Sequence, residues 1–222
     1  MTTPMLDGPR LEPEGEVKRL VVFCHGYGAN GQDLIGIGAH WRASFPDTAF
    51  VSPNAPEGVP GFPGGYQWFA IQPDRVREEY IEEGVRRAAP ALEAFLDAEL
   101  QRYGLDESAL ALVGFSQGTM MSLHVGLRRQ IAPAAIIGYS GMLAAAAKLE
   151  AEATASPPVL LVHGDADPVI PHQATLAAAE ALQGAGLTVQ HHISPGTPHG
   201  IGPDGLQLGG EFLKAALAGD AF

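Results

Sequence analysis

Short apolar runs alternate along the chain with longer stretches in which apolar residues recur at helical spacing. The apolar runs are typical of buried strands, and the stretches between them of amphipathic helices. The predicted strands cover residues 20–24, 48–52, 109–113, 134–138, 158–162 and 187–193. The predicted helices cover residues 32–44, 78–103, 117–129, 143–153, 172–183 and 204–217, and Pro90 is expected to divide the second of them. This order predicts an α/β fold with a mostly parallel, doubly wound sheet and helices on both faces.

Two segments interrupt this alternation. Residues 1–17 are polar, and we expect them to add at most an edge hairpin. Residues 53–74 are rich in proline and glycine, and a loop of this length without regular structure is usually functional. We expect this loop to cover the substrate with a wall of aromatic side chains, although simple packing over the sheet edge is an alternative. The aromatic residues of the loop are Phe62, Tyr66, Trp68 and Phe69.

The pentapeptide Gly114-Phe115-Ser116-Gln117-Gly118 lies between a predicted strand and a predicted helix. A nucleophile in such a turn has a strained backbone, and small residues two positions before and after it let the strand and helix approach closely. The pattern alone occurs by chance in a glycine-rich chain, but this context favours it. We therefore predict that Ser116 is a catalytic nucleophile rather than a helix-capping serine.

A serine hydroxyl is a weak nucleophile and needs a general base that is oriented by an acid. In this architecture the acid and then the base follow the serine, each at the end of a later strand. Asp165 and Asp167 both follow the fifth predicted strand, and we favour Asp167 because Asp165 is close enough to the strand to cap it. For the base we favour His199, in a turn, over His191 and His192, which lie within the strand pattern.

Acyl transfer also needs N–H donors for the oxyanion. We expect one from Gln117, directly after the nucleophile, and one from Tyr27 in the glycine-rich loop after the first strand. His25 is expected to buttress this loop. Residues 26–31 also match the dinucleotide pattern G-x-G-x-x-G, but the acidic partner that should follow the next strand is missing, so a dinucleotide site is disfavoured.

Composition narrows the function. The formal net charge of −12 argues against nucleic acid as a partner, because phosphate binding depends on clustered Lys and Arg. The single cysteine, Cys24, excludes an intrachain disulfide and is expected to be a buried thiol.

No signal peptide is visible and no apolar run reaches the ~18 residues of a membrane span, so we expect a cytoplasmic protein without stable membrane insertion. The run His163-x-Asp165-x-Asp167 lacks a matching metal-ligand spacing elsewhere, and no metal is expected.

The motifs resemble those of the phospholipase/carboxylesterase family, which includes acyl-protein thioesterases and small bacterial carboxylesterases. The resemblance extends from His25-Gly26-Tyr27-Gly28 through G-F-S-Q-G and H-G-D-x-D-P-V to Pro198-His199-Gly200. It implies one α/β-hydrolase domain over residues 1–222, without a large cap and without a cofactor, and it supports Ser116, Asp167 and His199 as the triad. Members usually carry Trp-Phe-Asp in the aromatic loop, whereas here Ala70 follows Trp68-Phe69.

The expected activity is hydrolysis of a small-molecule ester, thioester or lysophospholipid through an acyl-enzyme on Ser116. Met142, Leu143 and Val169 are expected to complete the substrate site. The alternatives are a non-catalytic relative that binds a small ligand, and a peptidase or lactone hydrolase that uses the same triad. The sequence leaves open a homodimer through the aromatic loop face.

Overall fold

The structure, a computed structural model, describes residues 5–71 and 78–219. Within these ranges there are nine strands. They are β1 Arg10–Leu11, β2 Arg19–Cys24, β3 Thr48–Val51, β4 Glu57–Gly58, β5 Tyr66–Gln67, β6 Leu110–Phe115, β7 Ala135–Tyr139, β8 Val159–Gly164 and β9 Val189–Ser194. The α-helices of the same ranges are α1 Gly31–Trp41, α2 Glu78–Tyr103, α3 Gln117–Gly126, α4 Leu149–Glu152, α5 Gln173–Gly184 and α6 Pro203–Ala218. Short 3₁₀ turns occupy Arg42–Ser44, Glu107–Ala109 and Ala146–Lys148.

The described residues form one large sheet in the order β1-β3-β2-β6-β7-β8-β9. All neighbouring strands run parallel except the edge pair of β1 and β3. Alternate residues of β2 enter different cores: Leu20 and Val22 pack with α2, α3 and α5, whereas Val21 and Phe23 pack with α1 and α6. The predicted doubly wound sheet with helices on both faces is confirmed.

The strand order places a switch point between β2 and β6. From β2 the chain crosses to β3 on one side, and from β6 it crosses to β7 on the other. Ligands of open α/β sheets bind beyond the carboxyl ends of the strands at such a point. Because Cys24 pairs with Gly114 at these ends, the loop after β2 and the turn after β6 lie side by side.

The prediction that Pro90 divides the second helix was wrong. Helix α2 continues through Pro90, although proline leaves the carbonyl of Arg86 without its usual N–H donor. Pro90 is exposed, while Ala89 and Ala91 beside it are buried against the sheet. The buried face therefore keeps the helix continuous and the proline is confined to the solvent side.

Three other predictions differ from the structure. Residues 143–153 form only the 3₁₀ turn and α4, because Ala145 has a left-handed φ of 57° and Leu143 packs into the core. Helix α3 ends at Gly126 rather than at residue 129. The N-terminal segment adds the edge strand β1 beside β3, not a hairpin. Residues 1–4 and the end of the aromatic loop, 72–74, lie outside the described residues.

No helix among residues 5–71 and 78–219 has both the length and the apolar composition to cross a bilayer.

Candidate active site

Ser116 occupies a sharp turn that joins β6 directly to α3. Its φ of 54° and ψ of −116° are strained for a residue with a side chain. A Cβ atom at Gly114 would lie 2.5 Å from the Gly118 oxygen, and one at Gly118 would lie 1.8 Å from the Cys24 oxygen. Only glycine fits at either position, so the two glycines let the strand and the helix close around the turn.

The Ser116 hydroxyl lies at hydrogen-bond distance from a histidine, which in turn contacts an aspartate. His199 Nε2 lies 3.0 Å from Ser116 Oγ, and His199 Nδ1 lies 2.6 Å from Asp167 Oδ2. The Asp167 side chain is fully buried, whereas that of His199 is 19% exposed. The ring of Phe115 lies 5.1 Å from the His199 ring, measured between centroids, and supports it from one side. The structure thus brings together the serine, base and acid that the sequence predicts.

The Asp167 carboxylate is held by several donors. Its Oδ1 accepts the N–H groups of Val169 at 2.7 Å and Ile170 at 3.0 Å, while Oδ2 faces His199. Burial opposes ionisation of this carboxyl group, but the hydrogen bonds from His199 and from these backbone groups outweigh it and hold the pKa of Asp167 below its ordinary value. Asp167 is therefore a carboxylate at neutral pH and can orient an imidazole.

The competing acid and base have other partners. Asp165 Oδ1 accepts the Gly196 N–H at 2.6 Å and so ties the acid-bearing loop to the base-bearing loop. His192 Nε2 lies 2.8 Å from Asp204 Oδ2, at the start of α6. His191 lies in β9, and its side chain is exposed. Among the described residues, the side chain that is hydrogen-bonded to Ser116 Oγ is that of His199 and not one of these three.

The loop after β2 approaches the nucleophile closely. A Cβ atom at Gly26 would lie 3.3 Å from Ser116 Cβ, so the backbone directly before Tyr27 lies against the serine. Among the described residues, no acceptor is found for the N–H groups of Tyr27 and Gln117. Backbone N–H groups without an acceptor are available to bind an oxyanion.

His25 buttresses this loop, as the sequence predicts. Its ring is buried, Nδ1 lies 2.7 Å from the Gly26 oxygen and Nε2 accepts the Ala55 N–H at 2.9 Å. The ring is therefore the Nδ1–H tautomer. Burial lowers the pKa of His25 and keeps the imidazole neutral, although the Gly26 carbonyl and Asp33 oppose this effect.

The Gln117 side chain has a second function that sequence reasoning missed. Its Oε1 accepts the Trp68 N–H at 2.8 Å, and its Nε2 donates to the Phe69 oxygen at 2.8 Å. The Trp68 indole N–H also donates to the His25 oxygen at 2.9 Å. The aromatic loop is thus anchored through its backbone to the residue after the nucleophile. This anchoring does not involve Ala70, the position at which the resemblance to the family leads us to expect aspartate.

The rings of Trp68 and Phe69 are both buried, which favours the alternative that these two residues pack over the sheet edge. Trp68 packs against His25, and Phe69 packs where a side chain at Gly84 of α2 would otherwise lie. Their apolar area stabilises the loop instead of facing solvent.

The remaining predicted substrate residues differ in exposure. Phe62 is 58% exposed and Val169 64% exposed. Tyr66 and Met142 are half-buried, and Leu143 is buried in the core beside α2. Phe62 and Val169 are consequently the two most accessible members of this set, and Leu143 contributes packing.

The N-terminus of α1, where a dinucleotide phosphate would bind, already has partners. The Gln32 N–H donates to Asn30 Oδ1 at 2.8 Å, and the Gly31 N–H donates to Asn54 Oδ1 at 2.9 Å. The Asp33 carboxylate accepts the Asn30 N–H and adds negative charge at this end. These contacts leave the helix end poorly suited to an anion.

His163 packs within the acid-bearing segment. Its Nε2 lies 3.1 Å from Asp167 Oδ2, so the histidine and the aspartate are hydrogen-bonded to each other. The described residues contain no group of three His, Cys, Asp or Glu side chains arranged to hold a metal ion.

Comparisons with known proteins identify the family of the chain. A profile of the phospholipase/carboxylesterase family matches residues 11–217. The chain is 30% identical to esterase YpfH of Escherichia coli K12 over 92% of this chain and 86% of that protein. It is 31% identical to acyl-protein thioesterase 1 of Schizosaccharomyces pombe over 81% of this chain and 82% of that protein. The crystal structure of esterase PE8 superposes with a TM-score of 0.93 at 46% identity, covering 96% of this chain and 100% of that one.

The profile spans nearly the whole chain, and the esterase structure matches both its sequence and its fold. The chain therefore belongs to the phospholipase/carboxylesterase family of α/β-hydrolases.

Proposed function

We propose that this ester hydrolase acts through an acyl-enzyme on Ser116. The observation that carries the assignment is the series of contacts from Ser116 Oγ to His199 Nε2 at 3.0 Å and from His199 Nδ1 to Asp167 Oδ2 at 2.6 Å. His199 removes the Ser116 proton as Oγ attacks the acyl carbonyl, and Asp167 stabilises the imidazolium that forms. The N–H groups of Tyr27 and Gln117 bind the developing oxyanion.

The second half of the reaction reverses the proton transfers. His199 Nε2–H protonates the leaving alcohol or thiol as the tetrahedral intermediate collapses to the acyl-enzyme. A water molecule then gives a proton to His199 and attacks the acyl carbonyl, and the carboxylic acid leaves as Ser116 recovers its proton. Since Asp167 is already ionised, no proton needs to move to the acid at any step.

Covalent labelling tests the nucleophile. A fluorophosphonate probe should label the wild-type protein and fail to label Ser116→Ala, and turnover of p-nitrophenyl acetate should fall by about 10⁴–10⁶-fold. Ser44→Ala, which alters an exposed serine outside the site, is the matched control and should retain both signals. Labelling and turnover that persist in Ser116→Ala would show that Ser116 is not the nucleophile.

We propose that the acyl group is apolar. Exposed apolar or aromatic side chains adjoin two of the catalytic loops: Tyr27 lies in the oxyanion loop, and Val169 follows the acid. Phe62 packs against Gly65, which adjoins the Gly28 oxygen. An acyl chain that buries methylene groups among such side chains gains about 0.8 kcal/mol for each of them.

An acyl-length series tests this substrate class. The value of kcat/KM for p-nitrophenyl esters should rise about fourfold for each added CH₂ over the first few members of the series. Phe62→Ala and Val169→Ala should flatten the rise without changing acetate turnover. A kcat/KM that falls beyond acetate would instead assign a short-acyl esterase. Because one relative is named an acyl-protein thioesterase, a thioester with the preferred acyl group is the next substrate to compare.

We also propose a cytoplasmic location. The lone Cys24 is buried, and burial raises the pKa of its thiol to about 12, which keeps it protonated and unreactive. A protein that needs no disulfide is suited to a reducing compartment. Fractionation that recovers the protein outside the cytoplasm would contradict this location.

A further inference from the structure

The buried carboxylate of Asp167 has a second imidazole partner. Asp167 Oδ2 faces His199 at 2.6 Å on one side and His163 Nε2 at 3.1 Å on the other. His163 is the next-to-last residue of β8, and its side chain is fully buried. We propose that His163, fixed by Thr175, is a positioning residue that holds the Asp167 carboxylate in line with His199. This inference rests on the proposed function of Ser116.

The surroundings of His163 determine where its proton lies. Nε2 faces two acceptors, Asp167 Oδ2 and the Ile170 carbonyl at 2.9 Å, so Nε2 must carry hydrogen. Nδ1 lies 2.7 Å from Thr175 Oγ1, a buried hydroxyl in the first turn of α5. With the Thr175 O–H donating to Nδ1, the ring is the neutral Nε2–H tautomer. The Thr175 hydroxyl therefore keeps the hydrogen of the His163 ring on Nε2, where Asp167 Oδ2 and the Ile170 carbonyl share it.

A hydrogen-bond donor whose charge stays the same is useful to Asp167, because the charge of its other partner, His199, changes during turnover. His199 alternates between imidazole and imidazolium during turnover, and the attraction between it and Asp167 changes each time. The backbone N–H groups of Val169 and Ile170 fix only Oδ1. His163 is the contact to Oδ2 that takes no part in proton transfer. It keeps the carboxylate plane in place while the charge on His199 changes.

Thr175 offers a gentle perturbation of this arrangement. Thr175→Val removes the hydroxyl but keeps the shape, so Nδ1 of His163 loses its hydrogen-bond partner. Nε2 keeps its hydrogen because it still faces two acceptors, but the ring is no longer held in one orientation and its support of Asp167 Oδ2 weakens. Thr175→Ser keeps the hydroxyl and should restore it. Thr48→Val is the matched control, since Thr48 is a buried residue of β3 whose hydroxyl has no partner among the described residues.

The test is steady-state kinetics with p-nitrophenyl acetate combined with proton NMR. Thr175→Val should lower kcat about tenfold, with KM within about twofold of wild type, because the chemical step depends on the geometry of the triad. The downfield resonance of the His199 Nδ1–H, identified by its loss in Asp167→Asn, should shift or broaden in Thr175→Val. Thr175→Ser should recover both signals, and Thr48→Val should leave both as in wild type.

Three results would overturn the inference while Ser116→Ala remains inactive. The first is an unchanged kcat and an unchanged His199 Nδ1–H resonance in Thr175→Val. The second is a loss of kcat in Thr175→Ser as large as that in Thr175→Val. The third is an equal loss of kcat in Thr48→Val when the same fraction of both variants is unfolded. His163→Gln, whose amide can reach the Nε2 position, should be more active than His163→Leu where both fold. If Ser116→Ala itself kept full turnover, the proposed nucleophile would be wrong, and that failure is distinct from the three above.

Discussion

Replacing Ser116 by glycine should give a more stable protein than replacing it by alanine. Both variants remove Oγ and its contact with His199, so their difference isolates the effect of Cβ at a φ of 54°. A side-chain residue held in such a conformation is destabilised by about 1–3 kcal/mol. Glycine relieves this strain, but its freer unfolded chain offsets about 0.4–1 kcal/mol of the gain. We expect Ser116→Gly to exceed Ser116→Ala by about 1 kcal/mol.

Urea unfolding followed by tryptophan fluorescence measures this difference directly. For a chain of this length, 1 kcal/mol also corresponds to about 2–4 °C in Tm. Ser122 provides the matched pair, because it lies inside the same helix and its glycine and alanine variants both lose the same hydrogen bond with the Cys24 thiol. At that position glycine should be less stable than alanine by about 1 kcal/mol.

The two positions should therefore rank glycine and alanine in opposite orders. The strain argument is refuted if alanine is the more stable residue at both Ser116 and Ser122. Equal stability of the two Ser116 variants would also count against it, because the strain would then amount only to the roughly 0.4–1 kcal/mol that the entropy of glycine offsets. Both Ser116 variants should be inactive, which verifies that the nucleophile is absent in each.

Three further predictions concern packing, the loop anchor and pH. Gly118→Ala should lower the free energy of unfolding by about 3 kcal/mol, because its Cβ would overlap a backbone oxygen. Gly36 lies in open space on α1, and Gly36→Ala should raise the free energy of unfolding by about 0.5–1 kcal/mol. The midpoints of urea unfolding measure both effects. Gln117→Ala should lower kcat/KM about tenfold and alter the near-ultraviolet circular dichroism of Trp68, because two hydrogen bonds to the main chain of the aromatic loop are lost. An unchanged spectrum would contradict the claim that Gln117 anchors the loop. Burial and neighbouring arginines lower the pKa of His124 to about 4, so the unfolded chain takes up a proton first as the pH falls below about 6.5. Wild-type stability should therefore fall between pH 7.5 and 5 by about 1 kcal/mol more than that of His124→Leu, after allowance for partial solvent screening.

The sequence predicts the sheet well because its central strands are buried on both faces and read as continuous apolar runs. The order of nucleophile, acid and base is also predictable, since each follows a strand whose carboxyl end lies at the same edge. Asp167 could be preferred to Asp165 because it lies two residues further from the end of the strand, where its carboxylate can reach an imidazole. The structure places Asp165 on the Gly196 N–H, where it connects two loops.

Other features depend on contacts between distant segments and have no local signal. Pro90 is compatible with a continuous helix only because one face of α2 is pressed against the sheet. The Ala-rich stretch after β7 has high helix propensity, yet packing of Leu143 takes precedence. The burial of Trp68 depends on His25 and Gln117, residues more than 40 positions away in each direction. His163 stood within a recognised motif, but its partner Thr175 did not.

The Gln117 side chain binds the aromatic loop only through the main chain of Trp68 and Phe69. A main-chain anchor places no demand on the identity of neighbouring side chains, so the exposed part of the loop can accumulate substitutions without coming loose from the catalytic machinery. Changes of acyl preference between relatives can then arise by mutation at positions such as Phe62 while the oxyanion donor stays in place. A library restricted to the exposed loop positions should accordingly yield folded enzymes of altered selectivity more often than one that includes Gln117.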